Sequence, residues 1–210
     1  PHQKGSLYIS DYKDAELNLK QLNGKQLSYN NYNDVFASLD ILSSVKKIPT
    51  TVIIKHSNPC GVAINKSPLI SFKNAFSSDP ISAFGGIIAC NYKISKKIAN
   101  EISKNFLEVI LGKGFDKEAL KILNKKKNLR VIDISKYNYK NNTIVKTLDG
   151  AFLVQDKNKI IFNKKDLKCV TKKKLTKKEL SEIEFAFNMC KFAKSNSIVL
   201  TNSFTTIGIG

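Results

Sequence analysis

The sequence predicts an α/β protein, with helices packed on a sheet of largely parallel strands. Three observations carry this. Short β-branched apolar runs alternate with stretches whose apolar residues recur at helical spacing, the rhythm of strand–helix–strand units. The first such run, Thr50-Thr51-Val52-Ile53-Ile54-Lys55, is continuous rather than alternating, as a strand covered on both faces must be. The 210 residues are 42% hydrophobic and 25% charged, enough to bury the core of one large domain or two small ones. The same balance argues against an intrinsically disordered chain, a collagen-like repeat and a membrane span.

The elements follow in order. Residues 24–33 are polar and turn-forming and lead into a helix for which Asn33 or Asp34 is the expected cap, with Val35, Leu39 and Leu42 on one face. Pro49 closes that connection and the strand at 50–55 follows. The segment from Lys55 to Gly61 reads as a sharp turn. Residues 69–77 form a short helix stopped by Asp79-Pro80. Gly85-Gly86 opens a second buried strand, Ile87-Ile88-Ala89-Cys90. Residues 94–106 are helical, with Ile98, Ile102 and Phe106 toward the core, and 107–111 is a strand. Asp116 caps a helix running to about Lys125, and 129–134 is the next strand.

The second part of the chain reads differently. Residues 136–150 are polar and rich in tyrosine and asparagine, the composition of a linker between a first α/β unit at 1–135 and a second opening at 151–210. In 151–163, Phe152, Val154, Ile160 and Phe162 alternate with polar neighbours as a strand or hairpin would. Thr176-Lys177-Lys178-Glu179 is a capping box for a helix through about Lys194, with Leu180, Ile183, Phe187 and Cys190 as its apolar stripe. Residues 198–201 form a strand, and 205–210 pairs with it or starts a new edge. The chain starts at Pro1 without Met and stops at Gly210 in a glycine-rich strand or turn, so a piece of a longer polypeptide is expected.

The net charge of +18 would suggest a polyanionic partner, but 34 of the 35 basic residues are lysine and only Arg130 is arginine. Nucleic-acid sites favour the planar, bidentate guanidinium. Together with 21 asparagines this reads as surface drift toward AT-rich codons. The excess is concentrated in residues 113–178, which hold 19 lysines and Arg130 against six acidic residues. No aromatic platform interrupts it as in single-strand binders, and Lys125-Lys126-Lys127 and Lys172-Lys173-Lys174 read as solvated helix ends and loops. The rival from this feature is a lysine-rich RNA-binding module on an α/β scaffold, whose signature is steeply salt-dependent binding. Cys60, Cys90, Cys169 and Cys190 form no Cys-x-x-Cys pair; Cys90, in an apolar run, and Cys190, in an amphipathic helix pattern, read as reduced core residues, which points to a cytoplasmic protein.

Chemistry is best placed at Lys55-His56-Ser57-Asn58-Pro59-Cys60-Gly61. A central strand delivers a lysine and a histidine to its carboxyl end, where α/β sheets place ligands. Histidine supplies a base near neutral pH, and an adjacent ammonium can neutralise a developing oxyanion or hold a phosphate. The pattern alone leaves open a structural His56 and a solvent-facing Lys55. Backbone amides at Gly85-Gly86 can approach an anion closely, or the pair is a plain loop. Asn196 could fix a substrate carbonyl or orient a histidine, or serve structure alone. Cys60 lies near His56 in sequence, but no orienting group makes it an evident nucleophile. Two histidines and scattered cysteines form no zinc motif, and Gly112-Lys113 is no phosphate-binding loop.

Five stretches occur together in one known order: GKQLSYNNYND (24–34), IIKHSNPCGVA (53–63), SDPISAFGGIIACN (78–91), LKILNKKKNLRVI (120–132) and KSNSIVLTNSFTTIGIG (194–210). With them the chain resembles the AICAR transformylase portion of the bifunctional purine biosynthesis enzymes, and Pro1-His2-Gln3 resembles the end of that portion's opening motif. The resemblance implies cytidine deaminase-like repeated α/β units, a mixed sheet with helices packed on it and no catalytic zinc. It implies formyl transfer from 10-formyltetrahydrofolate to the 5-amino group of AICAR, a reaction that needs no metal. His56 then matches the general base and Lys55 the cation that stabilises the transition state. Asn196 matches the asparagine that contacts AICAR and positions the histidine, Gly85 a backbone contact to AICAR, and Glu108 an acidic AICAR contact. The family's partners are AICAR, a reduced folate and a second subunit in a homodimer with composite sites. The cyclohydrolase domain and the folate-binding half have no counterpart in these residues.

Overall fold

Burial of the central strands on both faces organises the fold. The computed structural model describes residues 3–9, 17–45, 48–138, 142–158, 162 and 164–210. Pro1, His2 and Ile160, which enter the reading above, lie outside the described residues. The chain runs β1 (Lys20–Asn23), α1 (Tyr29–Ser44), β2 (Thr50–Lys55), β3 (Asn58–Ile64), α2 (Pro68–Ser78), α3 (Pro80–Ala83) and β4 (Ile87–Cys90). It continues with α4 (Lys96–Ser103), β5 (Val109–Gly112), α5 (Lys117–Leu123) and β6 (Arg130–Asp133). The last elements are β7 (Thr143–Leu148), β8 (Ala151–Asp156), α6 (Lys177–Cys190), β9 (Val199–Asn202) and β10 (Thr205–Ile209).

Eight strands form one sheet in the order β1-β6-β5-β4-β2-β3-β10-β9. Only β4, β5 and β6 run parallel; the other pairings are antiparallel. The sheet is therefore mixed, as the family resemblance implies, rather than largely parallel as the strand–helix rhythm predicts, and the reason is connection length. A helix and its loops separate β4 from β5 and β5 from β6, which permits a parallel crossover. Only His56 and Ser57 separate β2 from β3, which forces a hairpin. The turn expected over 55–61 shrinks accordingly, and Asn58–Ile64 is strand.

Alternation along the strands sends apolar side chains to two layers. On one face Ile53, Ile88 and Ile110 pack with α2, α4 and α5 through Phe72, Ile98, Ile102 and Leu123. On the other, Val52, Ile54 and Val109 pack with α1 and α6 through Val35, Leu39, Phe185 and Met189. The strand pair β9–β10, which falls within the segment 151–210 read as a second unit, extends this sheet, with Thr205 opposite Ala63 of β3.

Several helix boundaries differ from expectation for local reasons. Ser28 caps α1: its Oγ accepts the Asn31 N–H at 3.1 Å while the Asn31 side chain accepts the Ser28 N–H at 3.1 Å. Asn33 and Asp34 thus lie inside the helix. Helix α4 stops at Ser103, so Phe106 lies beyond it, 56% exposed, with its ring 5.1 Å from that of Phe84. The Thr176–Glu179 capping box forms as read, but α6 ends at Cys190 and turns a different face to the core. Phe185 and Met189, four residues apart, are buried, whereas Ile183 and Phe187 are exposed and Leu180 and Cys190 half-buried. Two apolar stripes compete on this helix. Phe185 meets Phe204, which joins β9 to β10, while Phe187 meets Phe162.

The segment read as a linker contains β7, which pairs with β8 through Asp149-Gly150, a favoured hairpin dipeptide with Gly150 at φ +68°. This hairpin stands apart from the main sheet, and Lys157 at its base bonds both oxygens of Asp40 on α1 at 3.0 and 3.1 Å. Lys172-Lys173-Lys174 are exposed in the loop before α6. Among the described residues no helix is long and apolar enough to cross a membrane.

One position shows how closely α2 lies on the sheet. A Cβ at Gly61 would press into the Ala75 carbonyl oxygen of α2, where backbone rather than a flexible side chain blocks it. Gly61→Ala is expected to destabilise the protein by about 1–3 kcal/mol. The check is a urea titration, in which the midpoint falls at unchanged slope.

Candidate active site

The candidate site is built at the carboxyl end of β2. Because β2 runs antiparallel to β4, with Ile54 opposite Ile87, this end lies beside the amino ends of the parallel strands. The site therefore sits at the opposite end of β4–β6 from the one that binds ligands in parallel α/β sheets. The chain turns back through His56 and Ser57, both at positive φ, +55° and +59°. These are the signs of the primed turns that fit hairpin twist, normally supplied by Asn-Gly. Asp34 of α1 compensates. Its Oδ1 accepts the Ser57 N–H at 2.6 Å and the Ser57 hydroxyl at 3.2 Å, and its Oδ2 accepts the His56 N–H at 3.2 Å.

The other expected residues gather unevenly around this turn. The Lys55 ammonium donates to the Phe84 carbonyl at 2.7 Å, which ties it to the Gly85-Gly86 turn. Gly85 has φ +72° and its N–H is bonded to the Phe106 carbonyl at 2.9 Å, so that amide is already committed. Glu108 lies just before β5; its N–H bonds the Gly86 carbonyl at 3.1 Å, and its Oε2 accepts from Asn31 Nδ2 at 2.8 Å. Arg130 Nη1 stands 3.9 Å from the same oxygen. Asn196 is exposed on the loop after α6. Lys194, two residues earlier, docks that loop on the turn: its Nζ donates to the His56 carbonyl and its N–H to Asn58 Oδ1, each at 3.3 Å.

A cleft of about 580 Å³ opens on Lys55 and His56, walled by Asn58, Cys60, Asp79 and Lys194. Gly85, Glu108 and Asn196 are not among its lining residues. Sequence reasoning missed Asp34, Asn31, Lys194 and Asp79. Of these, Asn31 and Asp34 carried a signal, three residues apart on one helical face after Ser28. Asp79 caps α3 through the Ser82 N–H at 2.9 Å, and hydrogen bonding first from the Ser82 side chain and then from this backbone amide lowers its pKa. Cys60 is in the cleft, but burial, reinforced by Asp79 and Asp34 against the opposing Lys55, pushes its thiol up to about 11. It is thus a protonated thiol at neutral pH and a weak nucleophile. Among the described residues no three His, Cys, Asp or Glu side chains gather as a metal site.

A mixed α/β sheet presenting an ammonium and an imidazole at a polar cleft defines the class: an α/β protein with a candidate acid–base site made of side chains. The chain belongs to the AICARFT/IMPCHase bienzyme family, which it matches over residues 1–210. It is 44% identical to the bifunctional purine biosynthesis protein PurH of Thermoanaerobacter sp. over 213 aligned residues, covering 100% of this chain and 41% of that protein. Identity to PurH of Acetivibrio thermocellus is 42%, and to PurH of Aquifex aeolicus 39%, over 100% of this chain and 42% and 41% of those proteins. The chain thus spans about two-fifths of the length of the curated relatives it matches.

The raised Cys60 pKa has a direct consequence. Thiolate fraction, and with it the alkylation rate, is expected to keep rising above pH 9.0 and to reach half its limit near pH 11. Peptide mass spectrometry after timed iodoacetamide treatment checks this; a plateau just above pH 9.0 would contradict it.

Proposed function

We propose that this chain carries the Lys–His part of an AICAR transformylase site and acts in purine biosynthesis. The observation that carries the reading is the His56-Ser57 turn. At this turn the Lys55 ammonium and the His56 imidazole both line one cleft, in a chain whose relatives are bifunctional purine biosynthesis proteins, which supports reading them as cation and base. Support for a mixed α/β unit of the cytidine deaminase-like kind comes from the sheet order with helices on both faces.

The chemistry follows from the residues. The 5-amino group of AICAR is conjugated with its ring and is a poor nucleophile. As its nitrogen bonds to the formyl carbon of 10-formyltetrahydrofolate, His56 takes the amine proton, a role that places the base within reach of the nucleophile. Charge builds on the formyl oxygen, and the Lys55 ammonium, anchored on Phe84 by only one of its three donors, stabilises it. Collapse of the tetrahedral adduct breaks the bond to the folate nitrogen, which takes up a proton, and releases FAICAR. Asn196 and Glu108 contact AICAR in this reading. Gly85 does so through its backbone, and since its N–H is bonded to Phe106, its carbonyl is the group proposed for that contact.

The folate is a cosubstrate. The protein is proposed to work as a cytoplasmic homodimer whose sites draw on both subunits. In the longer protein the cyclohydrolase step belongs to residues outside this chain.

In the full-length protein His56→Ala is expected to lower formyl-transfer kcat by about 100-fold or more, the range of general-base losses. AICAR affinity, read by calorimetry, should stay within about threefold, since the substitution removes a transition-state contribution. Wild-type turnover in this variant would remove His56 as the base.

A further inference from the structure

We propose that Asp34 is a positioning residue for catalysis: its carboxylate holds the His56-Ser57 turn in the one backbone geometry that presents His56 to the cleft. The proposal rests on the reading of His56 as the base. Two consecutive residues at positive φ are what Asn-Gly would supply unaided, yet this turn carries a histidine and a serine. A demand for an imidazole at this position explains why a carboxylate is set behind the turn. Asp34 is 9% exposed, and both its oxygens are occupied by donors of these two residues. Buried carboxylates are stabilised by such converging N–H donors, and their bonds are the stronger, charge-assisted kind.

The support behind Asp34 is rigid. Helix α1 is fixed at its start by the Ser28–Asn31 capping box and along its length by buried Val35 and Leu39. One turn before Asp34, Asn31 is 4% exposed and spends its amide on Glu108. The first two turns of α1 therefore set His56 and Glu108 relative to each other, although α1 contributes no lining residue to the cleft. A small misplacement of a reacting group, transmitted from outside the chemistry, is enough to slow turnover strongly.

The test is made in the full-length protein. Asp34→Asn preserves size but turns one acceptor into a donor, leaving either the His56 or the Ser57 amide opposed by another N–H. The expected result is a kcat about 10- to 100-fold lower with the KM for AICAR within about threefold. In a His56→Ala background the same substitution should leave the residual rate unchanged, because a positioning effect vanishes with the group positioned. Should Asp34→Asn fold poorly by circular dichroism, the same substitution is made in a Ser57→Gly background, where position 57 accepts positive φ without strain, and the kcat loss relative to Ser57→Gly alone must persist there. Wild-type kcat in Asp34→Asn beside an inactive His56→Ala would overturn the positioning role and leave the base reading intact. An equal loss with and without His56 would likewise reduce Asp34 to a structural residue. A fully active His56→Ala would remove both.

Discussion

The shortness of the link between β2 and β3 is the constraint on which the rest depends. Both strands lie inside the sheet, paired in register from Thr50 opposite Ile64 to Lys55 opposite Asn58, with one irregularity near Ile53 and Ile54. Only two residues remain to reverse the chain, so both take left-handed conformations, each costing roughly 1–2 kcal/mol for a non-glycine residue. Hydrogen bonds to a charged group are worth about 1.5–3 kcal/mol each, so the Asp34 carboxylate is of the right size to offset that strain. A longer turn would relieve it, yet a shift of one residue in register would exchange the two faces of β3. The burial of the strands and the conformation of the turn are therefore one problem.

Three elements converge on this turn because it is fixed. Helix α1 brings Asp34 behind it, the α3–β4 connection offers the Phe84 carbonyl to Lys55, and the loop after α6 lays Lys194 across the His56 carbonyl. Charge near the site is mixed, with Lys55, Lys194 and Asp79 all lining the cleft. The lysine runs that dominate the net charge lie elsewhere, as at exposed Lys172-Lys173-Lys174. Local pairing and burial, rather than the sum of +18, set the protonation of groups such as Cys60.

Much of the fold was legible because it depends on neighbours in sequence. The strand at 50–55, the helix at 69–77, the strand after Gly85-Gly86 and the Thr176 capping box all follow from local pattern and cap chemistry. The face that α6 buries was not legible, since two apolar stripes coexist on it and only packing in the buried layer, with Phe204 against Phe185, selects Phe185 and Met189. In the site, Lys55-His56 stood out as the rare histidine at the end of a buried strand. Asp34 did not, because an aspartate early in a helix looks like a cap until its partners, more than 20 residues away, are known.

By itself the sequence determined the class of fold, the order of its main elements, the family and the Lys–His pair, since these rest on composition, periodicity and contiguous motifs. Only the tertiary structure decided which strands of the sheet pair antiparallel, that β10 closes on β3, and that Asp34 and Lys194 meet at one turn. Those outcomes depend on pairings between distant segments. Their energies come from burial and hydrogen bonds that exist only once the strands have found one register.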